Sequence, residues 1–210
     1  MRNKDLTKPT AQFLTLEDFL RQPETEPASE YIDGLVIQKP MPQGEHSAIQ
    51  TALAPAINQV VKPAQVARAF TELRCTYPTG SHPADVYGGR SIVPDISVFL
   101  WGRIPRKDNG GIANVFALAM PCLWQIAPDW TIEFLLPDQS QTKVTKNILH
   151  CLNHGAQMGW LIDPAERSVF VYWPDQPTTV CDAPQAQLPV PALAEGVTLS
   201  VEALFDWLMA

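Results

Sequence analysis

No stretch of the 210 residues approaches the roughly 20 consecutive apolar residues of a membrane-spanning helix, and Met1-Arg2-Asn3-Lys4-Asp5 leads into polar residues instead of the apolar segment of a secretory signal. A cytoplasmic location is therefore expected. No Cys-x-x-Cys pair occurs. Cys75, Cys122, Cys151 and Cys181 are too widely and irregularly spaced for a zinc site or a disulfide framework, and they read as reduced packing residues. Basic residues are in deficit: 15 Lys and Arg against 22 Asp and Glu leave a formal charge of −7. That balance excludes a broad cationic surface coating nucleic acid nonspecifically, but not an enzyme whose local acidic site is built for a cation. Internal repeats are absent as well.

What the chain does have is apolar residues, 46% of it, and 20 prolines. The first supports a single packed domain over residues 1–210. The second cuts that domain into short elements. Residues 1–12 read as a loose arm and residues 182–194 as a Pro/Ala-rich linker to a terminal helix. Between them the pattern predicts an α/β (α+β) domain. Thr15 caps a short helix, and Asp33-Gly34 turns a hairpin over Glu30 to Ile37. A helix from Gly44 carries Ile49, Leu53, Ile57 and Val60 on one stripe, with Pro55 expected to bend or interrupt it. Val66 to Thr76 reads as a strand region and Thr79 to Arg90 as a Pro/Gly-rich loop. Thr142 to His154 is helical and stopped by Gly155. Met158 to Asp163 and Ser168 to Trp173 form a hairpin through Pro164-Ala165-Glu166-Arg167, which makes the sheet mixed. Ser200 caps a last helix from Val201 to Leu208.

Two apolar runs each hold one carboxylate. Ser91 to Leu100, read as one buried strand, contains Asp95, and Trp130 to Leu136 contains Glu133. A buried, unpaired carboxylate costs several kcal/mol, so each needs a cation, a set of donors or an open cleft. Two of them fixed on core strands suit a divalent metal. The alternative is an internal ion pair, with Arg74 or Arg90 as the available cations. His46 falls on the buried stripe of its helix, in the first turn, where its ring either reaches a cleft or is hydrogen-bonded in the core. Glu30 enters the hairpin just before Tyr31 and is either solvated or turned inward.

The segments Val93-Pro94-Asp95, Ile132-Glu133-Phe134-Leu135 and Gly159-Trp160-Leu161-Ile162-Asp163-Pro164, with Tyr31-Ile32-Asp33-Gly34 and the helix-opening His46, resemble the Uma2-type family of restriction-endonuclease-like proteins across roughly residues 14 to 208. The resemblance implies the PD-(D/E)XK nuclease fold, a mixed β-sheet core flanked by helices. It also implies a Mg²⁺- or Mn²⁺-dependent endonuclease acting on nucleic acid, with DNA as the expected substrate. Asp95 and Glu133 would ligate the metal, and Glu30 and His46 would assist. The superfamily motif has lysine two residues after the glutamate, where this chain has Leu135. The family commonly carries that lysine on the following helix, which brings forward Lys146 and Lys143, with Gln139 as a polar substitute. Lys146 lies about 200° around the helix from Val144, away from its apolar face. The competing class is a catalytically inactive fold kept as a binding or assembly module. A homodimer is expected from the apolar residues of the irregular segment between Gly102 and Trp130.

Overall fold

The computed structural model describes residues 14–77, 89–113, 127–137 and 139–209. Residues 78–88 of the Pro/Gly-rich loop before Arg90, and residues 114–126 of the irregular segment on which the homodimer expectation rested, lie outside them.

Two sheets share one antiparallel ribbon. The smaller has the order β2 (Leu35–Gln38), β1 (Ser29–Ile32), β5 (Arg90–Ile92), β4 (Cys75–Tyr77). The larger runs β10 (Thr179–Cys181), β9 (Ser168–Tyr172), β8 (Met158–Asp163), β7 (Trp130–Phe134), β6 (Ile96–Leu100), β3 (Ala67–Thr71). It is mixed, as expected: β7 and β8 are parallel and the other neighbours antiparallel. The β1–β2 hairpin closes through Asp33 and Gly34, both at positive φ (51° and 83°). Backbone twist of that sense suits a two-residue hairpin, which explains the Asp-Gly pair.

The long strand expected over Ser91 to Leu100 is in fact two strands in different sheets. Pro94 has no N–H to give to a ladder, so pairing stops after Ile92 and resumes at Ile96. The region Val66 to Thr76 breaks at the same level, where Glu72 takes a positive φ of 50°. These two segments form one antiparallel ribbon, with Thr71 opposite Ile96 and Cys75 opposite Ile92. The ribbon passes from the large sheet into the small one at its break. Across the kink Glu72 N–H donates to the Asp95 carbonyl at 3.2 Å. Asp95 therefore sits at a junction and not in mid-strand.

Helices cover both faces of the large sheet. Helix α2 (Gly44–Val61) buries Ile49, Leu53, Ile57 and Val61 against Ile96, Val98, Ile132 and Trp160, and α4 (Val201–Asp206) adds Leu204 and Phe205. The stripe ends on Val61, four residues after Ile57; Val60 is exposed. The expected interruption at Pro55 does not occur. Its ring lies on the exposed side, and the buried stripe on both flanks outweighs one missing backbone bond. Residues 182–194 pack down on this layer, with Leu188, Leu193 and Ala194 buried in it. The short helix α1 (Leu16–Leu20) is capped by Thr15, and Ser200 caps α4. Among the described residues no helix is long and apolar enough to cross a membrane.

Helix α3 (Gln141–Asn153) covers the opposite face, ends at Gly155 with φ 100°, and buries Val144 and Ile148 on Leu161 and Tyr172. It crosses the sheet so closely at Gly159 that a Cβ there would collide with Ile148 Cγ2. Gly159→Ala is expected to destabilise the protein by about 1–3 kcal/mol, because the buried Ile148 is fixed by packing and cannot move aside. Urea denaturation measures this, and unchanged stability would contradict the close approach.

Candidate active site at the junction of the two sheets

Side-chain alternation on β7 turns Trp130, Ile132 and Phe134 to the α2 layer, and so Glu133 to the other side. Glu133 is thereby buried close to Asp95. The first turn of α2 brings His46 to the same point from the other layer. Its Nε2 lies 3.3 Å from Asp95 Oδ1, and its ring stands edge-on to Phe134. One helical turn on, Gln50 Nε2 donates to the Asp95 carbonyl (2.8 Å) and to Glu72 Oε1 (3.0 Å). The second oxygen of Asp95 accepts from Phe134 N–H at 2.8 Å. From the small sheet, Glu30 Oε1 accepts from Val93 N–H at 2.8 Å, and Glu30 Oε2 accepts from Asn147 of α3 at 3.4 Å.

Into this group comes a lysine from an unexpected element. Lys39 directly follows β2, and its Nζ donates to Asp95 Oδ1 at 2.6 Å and to the Val93 carbonyl at 2.7 Å, with Glu72 Oε2 at 3.5 Å. Its ammonium faces four carboxyl groups, those of Asp95, Glu133, Glu72 and Glu30. Its pKa is raised because their combined attraction exceeds the opposing effect of burial, with Asp95 the strongest of the four. Asp95 stays ionised against its own burial, its pKa held well below the usual carboxylate range by Lys39 and His46. Glu133 goes the other way: burial first, and then the Asp95 charge beside it, push its carboxyl well above that range. The junction thus holds one ammonium among four carboxyl groups, and burial raises the pKa of two of them, Glu30 and Glu133.

His46, Glu72 and Asp95 each offer a ligand atom, all within 4.8 Å of one another, and could hold a metal ion. Asp95, His46 and Glu72 face a cleft of about 360 Å³, while Glu30 and Glu133 lie buried behind them. The structure brings together Asp95, Glu133, Glu30 and His46. Lys146 and Lys143 are exposed on α3, Lys146 as its angle from Val144 requires, and do not line the cleft. Arg74 and Arg90 pair with Glu24 and Asp33 instead of the site carboxylates. Gln139 lines the cleft mouth. The residues that sequence reasoning missed are Lys39, Glu72 and Gln50. Lys39 had one signal: it ends the hairpin that carries Glu30, immediately before Pro40-Met41-Pro42 and seven residues ahead of His46.

The raised pKa of Glu133 has a sign that can be measured. Above the ordinary carboxyl range the native state keeps a proton that the unfolded chain has lost, so stability falls as pH rises towards the native pKa. Glu133→Gln removes that dependence while keeping shape. Between pH 5 and 8, in chelator, wild type is expected to lose at least about 1 kcal/mol relative to the variant. Parallel stability curves would show that Glu133 is ionised in the native state.

Comparison with known proteins places this site in context. A family model described as Uma2, "Putative restriction endonuclease", matches residues 16–202. The crystal structure of a "putative nuclease" from Anabaena variabilis ATCC 29413 aligns with TM-score 0.82 at 61% identity, over 93% of this chain and 99% of that one. None of the curated proteins matches. With the family model spanning both sheets and all the junction carboxylates, the chain belongs to the Uma2 family of restriction-endonuclease-like proteins.

Proposed function

We propose that the protein is a Mg²⁺- or Mn²⁺-dependent phosphodiesterase of endonuclease type that hydrolyses nucleic acid, with DNA as the expected substrate. The observation that carries this reading is the set of four carboxyl groups around Lys39, at and behind the floor of an open cleft. The donors fit a hard divalent cation: carboxylate oxygens and an imidazole nitrogen on rigid elements, in a buried site short of positive charge. Asp95 and Glu133 would hold the ion, with Glu72 and His46 as further ligands. When bound it supplies hydroxide near neutral pH and takes up charge developing on the phosphate.

The chain's own residues do the rest. Lys39 takes the part of the missing motif lysine, offsetting phosphate charge from a fixed position. Gln50 and His46 hold Asp95 from its backbone and its side chain. Glu133 releases its proton as its surroundings become more positive. A cytoplasmic location and a homodimeric state belong to the same reading and rest on the sequence. One observation favours the inactive alternative: both Asp95 oxygens already have internal partners in Lys39, His46 and Phe134 N–H. Turnover of bis(4-nitrophenyl) phosphate decides between them. Hydrolysis that needs Mg²⁺ or Mn²⁺ and stops in EDTA is expected; no turnover with either ion would support the alternative.

A further inference from the structure

The cleft also bears on what kind of nucleic acid can enter. We infer, resting on the phosphodiesterase reading, that it admits one unpaired nucleotide, so that the substrate class is single-stranded or locally opened nucleic acid and not an intact duplex.

Size is the first argument. At about 360 Å³ the cleft lies at the lower end of the roughly 300–1,000 Å³ range of pockets that enclose small ligands. Asp95, which a scissile phosphate would have to approach, is only 4% exposed at its floor. A phosphate that approaches that floor brings its own nucleotide into the cleft, and an unpaired nucleotide enters without the cost of leaving a stack.

The wall is the second. Lys39 precedes Pro40 and Met41 precedes Pro42, and a following proline confines each to extended backbone. This stiff segment holds Met41, 64% exposed, at the mouth of the cleft. Phe134 and Leu136 line the cleft as well. An exposed thioether and apolar side chains leading to a carboxylate floor offer a base an apolar contact while its phosphate approaches the floor.

Charge is the third. A duplex binder neutralises several phosphates along its track with Lys and Arg. Among the described residues lining the cleft, Lys39 is the only Lys or Arg, and Glu26, Glu72 and Asp95 stand beside it. Arg21, Arg74, Arg90, Arg103 and Arg167 are each paired to carboxylates elsewhere. A cleft lined by one cationic side chain beside three acidic ones suits a contact made mainly by one base and one phosphate.

Fluorescence anisotropy of the full chain in Ca²⁺ tests this, using a labelled DNA oligonucleotide, its RNA counterpart and the duplex of each. A single strand of either sugar is expected to bind at least about tenfold tighter than its duplex. Met41→Asp, at an exposed position that folding does not depend on, is expected to weaken single-strand binding by about tenfold. A duplex bound as tightly as the single strand, or no binding to any of the four, would overturn the inference. Turnover of bis(4-nitrophenyl) phosphate reports separately on the phosphodiesterase reading. Its persistence beside duplex preference would sink only the inference about strandedness.

Discussion

Asp95→Asn is expected to lower metal-dependent phosphodiester hydrolysis by a factor of about 10³ or more, because it removes the one carboxylate that meets the cleft, Lys39 and His46 at once. Its effect on stability should be smaller than the loss of a buried ion-pair partner would suggest. Breaking such a pair typically costs about 3–5 kcal/mol, since a charge is left uncompensated. Here Glu133 stays protonated partly because Asp95 is charged beside it. Once Asp95 is neutral, Glu133 can ionise and face Lys39 in its place. Urea denaturation in chelator should therefore show a loss of about 1–3 kcal/mol. A loss above that range would mean that Glu133 does not take over the charge.

Lys39→Met is expected to have the largest effect on stability, about 3–5 kcal/mol in chelator, because it leaves the buried Asp95 carboxylate, with Glu72 beside it, without the ammonium that pairs with it. The Asp95 side chain is only 5% exposed, so water replaces the lost ammonium poorly. Mg²⁺ or Mn²⁺ should restore much of the loss, since a cation that binds the native state alone adds about 2.7 kcal/mol at a hundredfold excess over its Kd. Metal should raise the melting temperature of the variant more than that of wild type. Activity should remain low in the loaded variant, by about 10²- to 10³-fold, if Lys39 also offsets phosphate charge. Equal metal shifts in both proteins would separate the lysine from the metal site.

How far these residues could be read from sequence follows from what each depends on. The Asp33-Gly34 hairpin, the buried face of α2 with His46 on it, and the β8–β9 hairpin follow from local pattern, and local pattern survives folding. Asp95 and Glu133 stood out because a charge inside an apolar run needs a partner. The partner itself was not legible. Lys39 lies 56 residues from Asp95, and the two meet only because β1 pairs with β5 and thereby carries the end of β2 to the ribbon's break. The break was half legible: Pro94 was visible, but the matching positive φ at Glu72 depends on the partner strand. The family's usual placement of the lysine on the following helix pointed to α3, where helical geometry already turned Lys146 towards solvent. Buried polar groups drawn from four separated segments are set by topology, and strand pairing at long range is what a pattern of single residues carries least.

The most direct test of the central claim, that the junction carboxylates form a divalent-cation site, is calorimetric titration of Mn²⁺ into wild type and Asp95→Asn, in two buffers of different ionisation enthalpy. Wild type is expected to bind the ion, to release protons as Glu133 ionises, and to lose the binding on Asp95→Asn. No heat from wild type, or equal binding by the variant, would contradict it.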